Sequence, residues 1–412
     1  MKKFLLFLAC SSLLASGAVA QEKLVDEVNK DISGFSADYA GALNKIKPAL
    51  TNAETKDSPK TWYVAGKTAF KWYDDLLGKR QIKATDVKAA DMGNALLSGY
   101  DYFVTALPLD SIVEKDKTGA PKLDKNGKPK IKTKYSKDIV NVLVGHLNDF
   151  SQVGNDFYDA KDWKNAYKAW DIFASLPSAE FLGNQKPAVA DTIVGQVRFF
   201  QGIAAWQGGD HKDAVKAFAM ARKKGYLKKE AFDYALTCAA NMKDEPEIVA
   251  ISREAYPIFG NQDGQYVRII INSLINNKSF DEANVFLDKA IADNPNNAEF
   301  CNLKGLLVEN QKSMEEALPF FKKAVDLDPN FAKGQFDLGR YYYNKAFKII
   351  QDNPDLTGKA LANKVNPLYE QALPYLEKAY SLDKDNLDAK NALRTIYYKL
   401  GNEAKLNAIE NQ

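Results

Sequence analysis

The sequence repeats itself at an interval of 34 residues, and this repeat limits the possible fold more than any other feature. Two copies near the C-terminus share an Ala, a large apolar residue, a second Ala and a Pro. These copies are Ala283, Leu287, Ala290, Pro295 and Ala317, Phe321, Ala324, Pro329. A further column of small residues recurs in the first half of the unit, at Gly66, Gly154, Gly202, Gly305 and Gly339. A period of this length is typical of stacked helix pairs.

Each half of the unit has the spacing of a helix. Apolar and small residues recur at intervals of three and four, so they share one helical face. Gly or Ala where two such faces meet lets the helices approach closely. A capping residue is expected at the start of the second helix, at Asp162, Asp210, Ser279 and Ser313. Glu282 and Glu316 follow the two serines by three residues, which predicts capping boxes.

This pattern resembles the tetratricopeptide repeat family, whose 34-residue unit carries W-x2-L-G-x2-Y, A-x3-F and a Pro. The resemblance extends over residues 59–412. It implies an all-α fold, a right-handed α-solenoid of helix hairpins with a concave groove. In this family the groove is lined by the first helix of each unit and binds other proteins.

The positions that line the groove in this family hold amides, cations and aromatic rings in this sequence. They are Arg268, Asn272, Asn276, Asn302, Lys333, Phe336, Arg340, Tyr343, Asn344, Asn391 and Tyr398. Amides can pair with an extended peptide backbone, Arg with a carboxylate, and aromatic rings supply apolar area. Asp337 stands where the carboxylate clamp of some family members has a basic residue, which argues against such a clamp. A polar, solvated face is the alternative interpretation.

Two units are longer than the regular repeat. The small-residue columns are 33 residues apart from Gly66 to Gly99 and from Gly339 to Ala372, where a regular unit has 12. We therefore expect two elongated hairpins, in the first and penultimate units, with turns at 76–86 and 352–358. They are candidates for docking or for homo-oligomer formation; caps over apolar ends are the alternative.

Residues 113–137 form a basic segment with nine Lys and three acidic residues. Asn126-Gly127 predicts a hairpin turn. The segment is expected to be a solvated loop; a ribbon that contacts phosphates or lipid headgroups is the alternative, and the absence of interleaved aromatic residues argues against nucleic acid. The predicted domains are 21–173, with this basic loop, a linker at 174–188, and a C-terminal array at 189–412.

The N-terminus has the pattern of a secretory signal peptide. Lys2 and Lys3 precede an apolar run from Phe4 to Ala15, and Ala18-Val19-Ala20 is an A-x-A cleavage site. We expect residues 1–20 to be removed after Ala20 and the mature chain to be exported to the periplasm. Cys10 lies inside the apolar run, where a lipoprotein cysteine is not expected.

The composition suggests neither catalysis nor a bound cofactor. With 56 basic and 53 acidic residues, the net charge of +3 favours neither nucleic acid nor an anionic membrane as a general partner. The sequence has two His and three Cys and lacks nucleophile, phosphate-loop and zinc-ligand motifs. Cys238 and Cys301 are expected to be free, buried thiols. We predict no enzyme, no cofactor and no metal.

These observations predict an exported adaptor or scaffold that binds another envelope protein or a peptide through its concave groove. In this interpretation the protein reaches the membrane only indirectly. The alternative is a glycan- or nutrient-binding component beside an outer-membrane transporter, which the 11% aromatic content would permit.

Overall fold

The computed structural model describes residues 21–34, 37–85, 87–125, 127–260 and 262–411. The predicted signal peptide and Cys10 lie outside these residues. The described chain is almost entirely helical, which confirms the all-α prediction. Its internal contacts divide it into one unit that ends at Cys238 and a second that begins at Ala239.

The first unit contains helices α1 to α9, most of α10 and one small β-ribbon. The described part of α1 is 21–31. The other elements are α2 (Tyr39–Thr51), α3 (Pro59–Gln81), α4 (Ala89–Leu109), β1 (Ile112–Val113), β2 (Ile131–Lys132), α5 (Ser136–Gly145), α6 (Leu147–Asp159), α7 (Trp163–Ser175), the 3-10 helices Leu176–Ser178 and Glu180–Gln185, α8 (Asp191–Gln207), α9 (His211–Lys223) and α10 (Lys229–Asn241). The unit boundary falls within α10.

The second unit contains the remaining nine described helices. They are α11 (Glu245–Phe259), α12 (Gln265–Asn276), α13 (Phe280–Asp293), α14 (Ala298–Gln311), α15 (Met314–Leu327), α16 (Ala332–Asp352), α17 (Gly358–Leu382), α18 (Leu387–Lys399) and α19 (Glu403–Glu410). In both units, helices that follow each other in sequence pack against each other, such as α6 with α7, α8 with α9, and α14 with α15.

Glycines set the close approach within several of the pairs. A Cβ added at Gly154 would lie 2.4 Å from the Trp170 side chain, and one at Gly202 would lie 2.6 Å from Phe218. The glycines of the small-residue column therefore lie where a first helix contacts a large side chain of the second.

Four helices are longer than the others. α3 and α4 have 23 and 21 residues, and α16 and α17 have 21 and 25. The turn between α16 and α17 is 353–357, inside the stretch predicted from sequence. α3, in contrast, continues to Gln81, so the first part of the predicted turn at 76–86 is helical. Leu76 is buried on the apolar face of α3, and the chain leaves the helix only near Lys83, whose φ is 58°.

Most of the predicted caps form. The carboxylates of Asp162 and Asp210 accept hydrogen bonds from backbone N–H groups of the following turn, and Ser313 Oγ accepts one from the Glu316 N–H. The prediction for Ser279 is wrong, because its side chain makes no cap bond. Glu282 instead pairs with Arg253 at 2.7 Å.

The basic segment forms a ribbon in which Asp110 holds the base. The ribbon, residues 112–132, leaves α4 and returns to α5 through the β1–β2 pair. Asp110 is fully buried, and its carboxylate accepts hydrogen bonds from the N–H groups of Lys134, Tyr135 and Ser136 and from Ser136 Oγ at 2.7–3.0 Å. One side chain thus connects the end of α4 to the start of α5.

The segment predicted as a linker, 174–188, lies inside the first unit. It forms the two 3-10 helices, and Leu176 and Leu182 are buried in the hydrophobic core. Cys238 and Cys301 are free and buried, as predicted. Burial raises the pKa of Cys238 to about 11, so this thiol is protonated at neutral pH.

Candidate functional site

A cavity of about 320 Å³ in the second unit brings together five of the residues predicted to line a groove. It lies between α16, α17 and α18. Its lining consists of Phe336, Arg340, Tyr343, Asn344, Leu376, Asp388, Asn391, Ala392 and Thr395. The residues come from one face of α16 and one face of α18, where they recur at intervals of three and four.

The cavity has apolar walls and polar groups that remain available. Phe336, Tyr343 and Leu376 supply the apolar surface. Within the part of the chain that the structure describes, the side chains of Asn344, Asn391 and Asp388 make no hydrogen bond or ion pair. Two amides and one carboxylate are therefore free to bind a ligand.

Arg340 does not have a free charge at this site. Its guanidinium donates two hydrogen bonds to the Glu309 carboxylate, at 3.0 and 2.7 Å, and a third from Nε to Asp337 at 3.2 Å. Asp337 also accepts a 2.7 Å hydrogen bond from the Asn302 amide. This cluster joins α14 to α16 and, with one cation and two carboxylates, carries a net charge of −1 when both acids are ionised.

Burial governs the electrostatics of this cluster. Desolvation raises the pKa of Asp337, while the hydrogen bond from Asn302 and the charge of Arg340 act in the opposite direction. Burial alone would lower the pKa of Arg340, but the hydrogen bond to Glu309 and the charge of Asp337 raise it above its usual value. Arg340 therefore stays charged and paired.

Two sequence-based assignments need correction here. Asn302 was expected to line the groove, but its side chain is buried, with 3% of the residue exposed. It packs against α16 and donates a hydrogen bond to Asp337. Arg340 was expected to be able to bind a carboxylate, but Glu309 already provides one. Asp337, which was expected to repel a carboxylate ligand, faces Arg340 and Asn302.

The remaining predicted residues lie outside this cavity. Arg268 donates from Nε to Glu299 at 2.9 Å, which pairs α12 with α14. Asn272 and Asn276 are exposed on α12, and Lys333 is exposed in the first turn of α16. Tyr398 is 71% exposed on α18. The structure therefore brings together Phe336, Arg340, Tyr343, Asn344 and Asn391, and not the full predicted set.

The sequence-based set missed several residues of the site. Asp388 lies one turn before Asn391. The helical spacing used for Asn391 would have found it. Leu376 and Glu309 belong to neighbouring helices, and helical spacing within α16 or α18 carries no signal for them.

A larger cavity, of about 610 Å³, lies in the first unit between the start of α7 and the α8–α9 turn. Several of its charged groups are already paired: Lys168 with Asp101, and Asp213 with Lys216. Asp210 caps α9. Burial, followed by the charge of Asp213, raises the pKa of Tyr167 in its wall to about 12. None of the predicted groove residues lines this cavity.

Two searches of the described residues bear on other kinds of site. No three His, Cys, Asp or Glu side chains come together there in a way that could hold a metal ion. Within the same residues, every helix is too short or too polar to cross a bilayer.

Comparison with solved structures finds several that match this chain over about half of its length or more. YrrB, described as a TPR protein with an unusual peptide-binding site, is 18% identical over 54% of this chain and 99% of its own, with a TM-score of 0.31. A TPR repeats protein (BF2334) from Bacteroides fragilis is 16% identical over 61% of this chain and 98% of its own, with a TM-score of 0.34. The human IFIT1 dimer with PPP-AAAA is 13% identical over 83% and 70%, with a TM-score of 0.35.

A family model identifies the repeat directly in part of the sequence. No curated protein matches the chain. Residues 271–330, which include α13, α14 and α15, match the family model of the tetratricopeptide repeat. These are the residues in which the 34-residue period is clearest and in which Gly305 packs under Phe321. Residues 271–330 are therefore tetratricopeptide repeats.

Proposed function

We propose that this protein is an adaptor that binds an extended segment of another protein in the cavity between α16, α17 and α18. The observation that supports this function best is the pairing of free amides with aromatic walls. Asn344 and Asn391 can donate to and accept from a peptide backbone, while Phe336 and Tyr343 contact an apolar side chain. The proposed role is binding, without catalysis.

The charges of the site favour a neutral or basic segment. Asp388 has no ion-pair partner among the described residues, and the Arg340–Glu309–Asp337 cluster is negative overall when both acids are ionised. A lysine or arginine of the ligand would be attracted, and a terminal carboxylate would be repelled. This preference differs from that of a carboxylate clamp.

The proposal predicts which substitutions weaken binding. Peptides selected from a random library on residues 21–412 would be labelled, and their affinity measured by fluorescence anisotropy. Asn391→Ala and Phe336→Ala are each expected to raise the Kd about tenfold, the usual effect of losing a central contact. The exposed Asn391 should tolerate the change without loss of stability.

Tyr398→Ala is the matched control, because Tyr398 lies on α18 with Asn391 but outside the cavity. Its Kd should stay within about twofold of wild type, since peripheral contacts contribute little. Failure to select any peptide, or equal affinities for Asn391→Ala and Tyr398→Ala, would contradict binding in this cavity.

Export is a separate part of the proposal and is supported by the sequence of residues 1–20. We expect the mature chain to begin at Gln21 and to be released with periplasmic contents. Mass spectrometry of the protein expressed in a bacterium with a two-membrane envelope would check this. An intact Met1, or a lipid attached to Cys10, would be incompatible with it.

A further inference from the structure

One small segment of the chain carries a large local excess of positive charge. Residues 113–137 have nine Lys and three acidic residues, a charge of +6. Because the whole chain has a charge of +3, the other residues together carry −3. A charge distribution of this kind indicates a local surface for an anionic partner.

The three acidic residues of the ribbon serve its own fold. Asp116 accepts from the N–H groups of Thr118 and Ala120, and Asp124 accepts from the Lys128 N–H. Glu114 pairs with Lys122 at 3.8 Å and with Lys130 at 3.5 Å. These contacts hold two tight turns.

Most lysines of the ribbon have no such partner. Lys117 and Lys125 each follow the Asp that holds a turn, so they stand at the two tips. Among the described residues, no carboxylate pairs with Lys115, Lys117, Lys125, Lys128 or Lys132. All five are exposed.

Large apolar side chains of the ribbon are exposed: Ile112 lies on one face, and three others share the opposite face. Val113 lies directly opposite Ile131, and Leu123 directly opposite Pro129. Since Pro129 and Ile131 are two residues apart in an extended strand, all four side chains share a face. Leu123 is 61% exposed, Ile131 47% and Val113 36%.

We propose that this ribbon, residues 112–132, docks the protein onto a bilayer that contains anionic phospholipid. The unpaired lysines contact headgroup phosphates, and Val113, Leu123 and Ile131 enter the boundary between headgroups and acyl chains. A polyanion such as nucleic acid would satisfy the lysines but not the apolar face. The inference is independent of the cavity in the second unit and differs from the sequence-based expectation of an indirect membrane contact.

Vesicle flotation with residues 21–412 tests this proposal. We expect binding to vesicles of phosphatidylglycerol and phosphatidylcholine, and little binding to phosphatidylcholine alone. Binding should fall as salt concentration rises. Lys117→Gln/Lys125→Gln is expected to lower the partition constant about tenfold or more, and Leu123→Ser/Ile131→Ser by a similar factor even at low salt.

Controls match each change elsewhere on the surface. Lys348→Gln/Lys359→Gln removes the same charge, and Val285→Ser/Leu387→Ser the same kind of exposed apolar group. These variants should bind within about twofold of wild type, because only headgroup-facing residues contribute. Unchanged far-UV circular dichroism would show that the ribbon variants are folded.

Three results would overturn the proposal. The first is no binding to the anionic vesicles. The second is unchanged binding by both ribbon variants. The third is vesicle binding that depends on the lysines but not on Leu123 and Ile131, together with equally strong binding to duplex DNA, since this would describe a general polyanion surface.

Discussion

Replacement of Gly305 by leucine is expected to lower the free energy of unfolding of the second unit by about 3 kcal/mol or more. A Cβ at this position would lie 2.5 Å from Cε1 of Phe321, which is 1% exposed. Phe321 is enclosed by Val308, Ala317 and Leu338, so its ring cannot move aside. The leucine would therefore separate α14 from α15.

Gly78 provides the matched control for this change. It also lies inside a helix, but an added Cβ would meet no atom within 4 Å. Gly78→Leu should be neutral or stabilise the protein by up to about 1 kcal/mol, because leucine has the higher helix propensity. Urea denaturation followed by circular dichroism gives both values. Similar effects at Gly305 and Gly78 would show that the regularly spaced small residues of this chain do not serve close helix approach.

Asp110→Ala is expected to destabilise the first unit by about 2–4 kcal/mol. The substitution removes the acceptor of three backbone N–H groups and one hydroxyl, all at the junction of the ribbon with α5. The released ribbon is rich in lysine, so trypsin should cut it faster in the variant. Asp159→Ala, on the exposed end of α6, should stay within about 0.5 kcal/mol of wild type.

The same carboxylate makes stability depend on pH. Burial alone would raise the pKa of Asp110, but hydrogen bonds from Ser136, Tyr135 and Lys134 lower it below its usual value. A lowered pKa in the folded state stabilises the fold above the unfolded pKa of about 3.9, and this stabilisation is lost as pH falls through the folded value. Asp110→Asn should therefore flatten the acid side of the stability curve. An unchanged acid limb would contradict this role.

The helix pairs could be predicted because their determinants are local and periodic. Gly154 and Gly202 occupy the same position in their repeats, and each contacts a large side chain of the next helix. The caps at Asp162 and Asp210 also follow from residues within one turn. In such an array, contacts between elements are mostly contacts between sequence neighbours, so a period in the sequence becomes a period in space.

The candidate site was only partly predictable, because helical spacing gives the direction of a side chain and not its partner. Arg340 lies on the cavity wall, yet Glu309, 31 residues earlier, pairs with its charge. Asn302 was placed on the groove side of its helix, but Asp337 and the packing of α16 bury it. The Ser279 side chain makes no cap bond, and nothing in the structure explains why.

The ribbon shows the same limit. Its charge was evident from sequence, but the shared face of Val113, Leu123 and Ile131 depends on the register of three short extended segments. The middle segment pairs with the first only through the bridge Lys115–Pro121, and with the third only through Leu123–Pro129. No local pattern predicts that register, because each segment is too short to show an alternation.

Photo-crosslinking of the selected peptide tests the central claim, binding between α16 and α18, most directly. A diazirine-labelled peptide would be irradiated with residues 21–412, and the linked residues identified by mass spectrometry. We expect crosslinks to Phe336, Tyr343 and Asn391, and fewer links to Phe336 and Tyr343 in Asn391→Ala when the peptide concentration is near the wild-type Kd. Crosslinks confined to the ribbon, or to the cavity between α7 and the α8–α9 turn, would contradict it.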